Sequence, residues 1–397
     1  MKIRDIALRR IIDSRGNPTV EAEIKTKNGF GRAAAPAGAS TGTHEAVAWP
    51  DGSVSKGMEI AEEKIMPQLI GLLTEDQENF DKTLREIDGT ENFSKVGGNI
   101  SVALSLACAK AAADSKGITL YEHIGKANTY ALPAPMSNVL GGGAHAIGGT
   151  DIQEFLITSF DGDINTAIEA NSAVHKEVGK MLKGKFPNIA LGKGDEGAWV
   201  APMGNVEALE LVVDAANKVS DEIGIEIRPG LDMAASEFYH GGKYRYKEQT
   251  LTPEKQVEFV LGLIEEYDLH SVEDPIDQED FESWAALTEQ TDALVIGDDL
   301  YVTNTERLQR GIDIEATNSI LIKPNQIGTL TDTIETVNLA KKADMATVIS
   351  HRSGETTDST IAHLGVAFES HAIKTGIMGG ERIAKLNELV RISEKFR

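Results

Sequence analysis

Six short apolar runs in the second half of this chain each end on a charged or polar side chain. "IEIRPGLD" ends at Asp232, "HSVED" reaches Glu273 and "ALVIGDD" reaches Asp298. "NSILIK" ends at Lys323, "ATVISHRS" on His351, Arg352 and Ser353, and "HAIK" on Lys374. Counted from Asp232 to His351 and on to Lys374, successive separations are 41, 25, 25, 28 and 23 residues. A strand, a helix and two loops take about 25–35 residues, since about 250 residues build eight such units of a barrel. Amphipathic helical stretches lie between the runs. In "TPEKQVEFVLGLIEEY", Thr252 stands at the cap and Pro253 at the first helical position. The pattern predicts an α/β chain with a C-terminal (β/α)8-type barrel. Its strands are expected to run parallel and deliver their C-terminal ends to one mouth. An open doubly wound sheet is the alternative, and would spread the same residues along a crevice.

The first part of the chain reads differently. "IRDIALRRII" and "TVEAEIKT" flank the turn-rich "DSRGNP", and Asn28-Gly29 precedes "FGRAAAP", a three-strand meander. Thr74 and Gln77 have capping-box spacing before "FDKTLREID", and "NISVALSLACAKAAADSKG" is a long helix with Gly117 at its end. Strands followed by helices predict an N-terminal α+β domain over 1–130 and the barrel over 131–397, with Pro133 and Pro135 at the hinge. Cys108 is the single cysteine, so no internal disulfide forms, and its Ala/Leu neighbours make it a core filler. A formal net charge of −23 works against nucleic acid and anionic membranes as partners. No apolar run approaches the ~20 residues of a membrane span, and "MKIRDIALRRII" has no signal-peptide core, so the expected location is cytoplasmic.

Asp232, Glu273 and Asp298 are three hard oxygen ligands from successive units. Alone they would repel and raise one another's pKa values; a divalent ion resolves this, and all-oxygen ligation suits Mg²⁺. Asp299 ranks behind Asp298 as a ligand, and any one of these carboxylates could instead be a helix cap. Arg352 with Ser353 suits a phosphate, through a bidentate fork plus a hydroxyl. A lone lysine at a strand end is ordinarily a solvated one. Flanked by Lys374 and a metal, however, Lys323 has its neutral form favoured and can act as a base. "LGKGDEGAW" contains G-x-G-x-x-G, yet no long strand precedes it and "WVAP" is a poor helix opening, so it reads as a loop presenting Asp195 and Glu196. "GGGAHAIGGTDIQEF" offers His145, Gln153 and Glu154, and "PAGASTGTHEA" is a third Gly-rich loop, from the first domain. Near a reactive mouth such loops can serve as lids.

Read together, "DSRGNPTVE", "GASTG", "DIQEF", "GDEG", "EDP", "GDDLYVTN", "SHRSGET", "IKTG" and "ER.AKLNEL" resemble the enolase family, the phosphopyruvate hydratases of glycolysis, nearly end to end. The resemblance implies reversible conversion of 2-phosphoglycerate to phosphoenolpyruvate and water. It implies that Lys323 is the base, that Glu196 is the acid for the leaving hydroxyl, and that Glu154 and His351 belong to the catalytic group. Asp232, Glu273 and Asp298 would hold one Mg²⁺. Ser40 would bind a second together with the substrate phosphate, which Arg352 and Ser353 take. Lys374 takes the carboxylate side, and His145, Gln153 and Glu154 contact substrate. A homodimer or higher homo-oligomer is implied as well. The chain departs from the family's usual wording at "GDEGA" (Ala198), "HAIG", "PMSN", the short "HEAVAWPDG" and "GIM", which marks a divergent, archaeal-like branch.

Overall fold

Residues 1–125, 130–146, 148–160 and 162–396 are described by the computed structural model of the chain. Alternation sets up the N-terminal sheet. In β1 (Asp5–Ile12), β2 (Pro18–Lys25) and β3 (Phe30–Ala34), one face carries Ile6, Val20, Ala22, Ile24 and Ala33, all buried. The strands pair antiparallel in the order β1-β2-β3. The helix Gly98–Lys116 packs on β2 and β3. It is apolar nearly all round, as befits a helix covered on every side, and Cys108 lies within its buried length. The preceding helix, Gln77–Asp88, is capped by Asp76 through the Asn79 N–H, not by Thr74, whose hydroxyl donates to the Met1 carbonyl instead. Thr252 does cap Pro253–Tyr267 as expected.

Eight strands close the barrel: β4 (Ala134–Gly141), β5 (Glu154–Phe160), β6 (Glu226–Asp232), β7 (Ser271–Glu273), β8 (Leu294–Gly297), β9 (Ser319–Ile322), β10 (Ala346–Ser350) and β11 (Ala372–Lys374). They pair in sequence order and β11 returns to β4, with Ala372 opposite Ala134. Met136, Leu156, Ile296, Leu321, Val348 and Ala372 form a separate cluster that fills the interior. A barrel this narrow is a packed core, not a pore.

The expectation of uniformly parallel strands is wrong in one place. β5 runs antiparallel to both β4 and β6, with Glu154 opposite Gly141 and Asp232. Among its described residues the 142–153 connection holds no crossover helix, only a 3-10 turn at Gly143–His145. A parallel neighbour needs a crossover of a dozen or more residues, usually helical; a direct loop returns the chain antiparallel. The start of β5 therefore stands at the mouth where the other strands end. No described helix is long and apolar enough to cross a membrane.

Candidate active site

Local folding delivers every expected side chain except Glu273 to the lining of one pocket at this mouth. Asp232, Glu273 and Lys374 are the last residues of β6, β7 and β11. Asp298, Lys323 and His351 each follow directly on β8, β9 and β10, and Arg352 and Ser353 come next. Gln153 and Glu154 reach the pocket because β5 is reversed. His145 ends the Gly143–His145 turn, and Gly38 and Ser40 enter from the N-terminal loop, which bridges to Gly354 through Ala37. Glu196 sits in the turn between the two-residue strands Gly192–Lys193 and Trp199–Val200, buried to 3% exposure. Gly197 makes that turn possible: its φ is +77°, and a Cβ there would lie 2.5 Å from the Met378 carbonyl oxygen. Glu273 lies just behind the lining, under Lys374. Ile147, within the Gly-rich "GGGAHAIGG" stretch, lies outside the described residues.

Charge is crowded here. Lys374 Nζ donates to Glu273 Oε2 at 2.7 Å and Asp232 Oδ2 at 2.9 Å, and stands 3.2 Å from Glu154 Oε2. Burial works to lower its pKa, but these carboxylates outweigh it and hold the ammonium well above the ordinary lysine range. The carboxylates still outnumber it. Burial, then the Glu196 charge, pushes Glu154 well up; burial, then Asp232, does the same to Glu273. Asp274 receives the Asp298 and Asp299 amides at 2.9 and 2.8 Å and is also raised, by burial and by Asp299. Asp299 is pushed up to about 8 by burial and Asp298.

An Mg²⁺ ion fits this donor set. Oxygen ligands are concentrated, anionic charge is in excess, and the buried Glu273 Oε1 and Gln153 Oε1 have no hydrogen-bond partner. Asp232, Glu273 and Asp298 stand at strand ends around one mouth but are not drawn within 4.8 Å of one another. The carboxylates gathered that closely are Asp274, Asp298 and Asp299, and Glu154 and Glu196 with His145.

Two of the expected groups already have partners. The Lys323 ammonium is bonded to Asp298 Oδ2. Burial lowers its pKa, but Asp298 reverses that and the net direction is upward. Asp298 in turn is held below the usual carboxylate range, against burial, chiefly by Lys323. Arg352 is likewise engaged. Its fork takes both oxygens of Glu45, each at 2.9 Å, and it also donates to the Ser40 carbonyl at 3.2 Å. Ser353 Oγ accepts the Ala39 amide at 2.5 Å. Phosphate-type donors are therefore assembled, with a carboxylate occupying the fork.

On the other side, Glu196 Oε2 accepts from Asn138 Nδ2 at 3.2 Å, and Oε1 lies 3.2 Å from His351 Nε2 and 3.8 Å from His145 Nδ1. Burial opposes its ionisation, but His351, His145 and Arg382 hold its carboxyl well below the ordinary range. Burial lowers His145, and it lowers His351 to about 4. Glu154 and Glu196, on either side of His145, are thus pushed in opposite directions.

Sequence reasoning passed over Asn138, Glu45, Asp274, Gln326, His175 and Arg382. Gln326 Nε2 donates to Asp298 Oδ1 at 2.8 Å. Arg382 had a visible signal: with Lys385, Leu386 and Leu389 it shares the buried stripe of helix Gly380–Ser393, where a charge needs a partner. His175 Nε2 lies 2.9 Å from the Gly197 carbonyl and its ring stacks on Trp199, bracing the Glu196 turn. Burial lowers His175 to about 4. The unfolded chain takes up a proton near pH 6.5 that the folded chain refuses until about 4, so this site's contribution to stability is full above 6.5 and is lost as pH falls toward 4. We expect the stability difference between wild type and His175→Gln to be flat above that window. Within it, the difference should shift against the wild type by up to ~1.4 kcal/mol per pH unit, the limit for one proton. Denaturant unfolding across pH measures it, and a pH-independent difference would contradict the assignment.

Comparison with known proteins follows the same two-part layout. The family model described as the enolase N-terminal domain matches residues 3–124, and that described as the enolase C-terminal TIM barrel domain matches 129–397. Proteins named enolase from three archaea align over nearly all of both chains. Methanocorpusculum labreanum is 53% identical, covering 100% of each chain. Methanothermobacter thermautotrophicus is 51% identical, covering 99% of this chain and 97% of its own. Picrophilus torridus is 44% identical, covering 100% and 99%. Matches of this length and identity, on a barrel whose mouth is built as described, place this chain in the enolase family.

Proposed function

We propose that the chain catalyses the reversible dehydration of 2-phospho-D-glycerate to phosphoenolpyruvate and water, as an Mg²⁺-dependent carbon–oxygen lyase. The observation that carries this reading is the pocket itself. One barrel mouth lines a single cavity with a lysine, a hydrogen-bonded buried glutamate and an arginine–serine pair suited to phosphate. In this reading Lys323 removes the proton from the carbon beside the substrate carboxylate. The hydroxyl on the next carbon departs with a proton from Glu196, as water, and the carbon–carbon double bond forms between the two. Arg352 and Ser353 bind the phosphate, Lys374 faces the carboxylate, and His145, Gln153, Glu154 and His351 complete the contacts.

The charge pattern says what substrate must change. With Mg²⁺ on Asp298, the added positive charge beside Lys323 would favour its neutral amine, the form that accepts a proton. Asp232, Glu273 and Asp298 would hold one Mg²⁺, and Ser40 with the substrate phosphate a second. Bound there, Mg²⁺ supplies the positive charge that makes a second negative charge beside the carboxylate tolerable. The phosphate takes the Arg352 fork from Glu45, since both anions fit the same pair of donors. Glu196 has to be loaded with a proton, and incoming substrate charge raises its pKa in that direction. Run in reverse, the ionised Glu196 is the group that accepts the proton from water.

We further assign the α+β part to 1–130 and the barrel to 131–397, a homodimer or higher homo-oligomer in solution, and a cytoplasmic site of action. Adding 2-phosphoglycerate tests the reaction: the absorbance band of the enol phosphate should grow with Mg²⁺ and stay flat with a chelator. Binding without growth would overturn the reading. Calorimetry tests the second ion. Ser40 supplies too few hard ligands to hold Mg²⁺ alone, because the ion wants six oxygens and gives up water reluctantly. Titration should show one Mg²⁺ per free chain and two per chain saturated with an unreactive substrate analogue. One ion in both cases would leave Ser40 as a loop residue only.

A further inference from the structure

Arg382 is fully buried, at 0% exposure, on helix Gly380–Ser393 behind the pocket. Its guanidinium reaches three backbone carbonyls from two separate loops. Nη1 donates to the Arg352 carbonyl at 2.6 Å, and Nη2 donates to those of Ser353 at 2.5 Å and Asp195 at 3.2 Å. Nη1 also lies 2.7 Å from His351 Nδ1. Arginine has donors and no acceptor, so at that distance Nδ1 must offer a lone pair. The imidazole proton then has to sit on Nε2, the nitrogen 3.2 Å from Glu196 Oε1. An imidazolium would point an Nδ1–H at the guanidinium and lose this contact.

We propose that Arg382 is a positioning residue that fixes His351 as the neutral Nε2–H tautomer and ties the Glu196 turn to the Arg352–Ser353 loop. The proposal rests on the dehydration reading for its consequence, though not for its geometry. His351 Nε2–H and the Asn138 amide then occupy one lone pair on each Glu196 oxygen. That orients the carboxyl group and leaves its remaining lone pairs for the substrate hydroxyl. The backbone carbonyls that accept from Arg382 lie on two sides of the pocket: Asp195 adjoins the acid, and Arg352 and Ser353 are the residues assigned to the phosphate. One rigid plane therefore sets their spacing. Lysine cannot replace it, because a single ammonium nitrogen cannot span carbonyls on two loops and the ring nitrogen together.

The consequence is selective. Both proton removal and hydroxyl departure share the phosphate-side tie, but only hydroxyl departure uses the tie to His351 and Glu196. Arg382→Lys should lower kcat for dehydration by ~10²-fold, as misplacement of about an ångström does. It should leave exchange of the substrate's α-proton with solvent within about tenfold of wild type. Equal loss of exchange and dehydration would mean that Arg382 merely props up the site, and no loss would mean that it does nothing there; either overturns the proposal. A second measurement does not need the variant to fold, or the chain to be active. In the wild type, ¹⁵N shifts of the His351 ring at neutral pH should show a protonated Nε2 and an unprotonated Nδ1. The opposite tautomer or an imidazolium would overturn the proposal. If wild type shows the expected tautomer but no dehydration, the proposed reaction fails and the Arg382–His351 pairing stands.

Discussion

Lys323→Ala loses ~10²–10⁴ of kcat, the usual contribution of one acid–base group, and loses α-proton exchange along with it. Exchange is the sharper readout, because Lys323 acts first: no later step restores a proton transfer that has not happened. Stability adds a second, independent signature. Asp298 would keep Gln326 but lose the ammonium, and stranding one partner of a buried pair costs ~3–5 kcal/mol. That loss should appear in denaturant unfolding with a chelator present and shrink with Mg²⁺, which gives Asp298 a replacement cation. Undiminished exchange in the variant would remove Lys323 from the role of base.

Glu196→Gln should separate the two halves of the reaction. Its shape is kept and its exchangeable acid proton is lost. The pocket can absorb the change: Asn138 Oδ1 is buried without a partner, so a flipped Asn138 amide can accept from the new Gln nitrogen while His351 Nε2–H still donates to its oxygen. With the fold undisturbed, α-proton exchange should remain measurable while product formation falls by ~10²–10⁴. Deuterium incorporation into recovered substrate, read alongside product yield, measures both. Loss of exchange together with product would assign Glu196 to binding rather than to proton donation.

What could be read from the chain was local. An apolar run followed at once by a charge announces a strand end, and Asp232, Glu273, Asp298, Lys323, His351 and Lys374 all stand at strand ends. Glu196 was legible because small residues on both sides leave no other reason for its turn. The reversal of β5 was out of reach of the strand-end pattern, because a strand's direction depends on the connection before it; "GGGAHAIGG", with no helical period, was the available sign. Partnerships were out of reach for a different reason. Arg352 meets Glu45 across 307 residues of chain, and Arg382 meets Asp195 across 187. Nothing in either neighbourhood encodes the other. The Lys323–Asp298 pair, by contrast, joins two side chains only 25 residues apart that were both expected at this mouth.

This mouth interconverts one pair of phosphorylated acids. Phosphorus NMR on the wild-type chain tests it most directly, in two tubes with Mg²⁺, one started from 2-phosphoglycerate and one from phosphoenolpyruvate. Both should converge on the same ratio of the two compounds, and a chelator should stop both. Spectra unchanged from either side, with Mg²⁺ bound, would contradict the account.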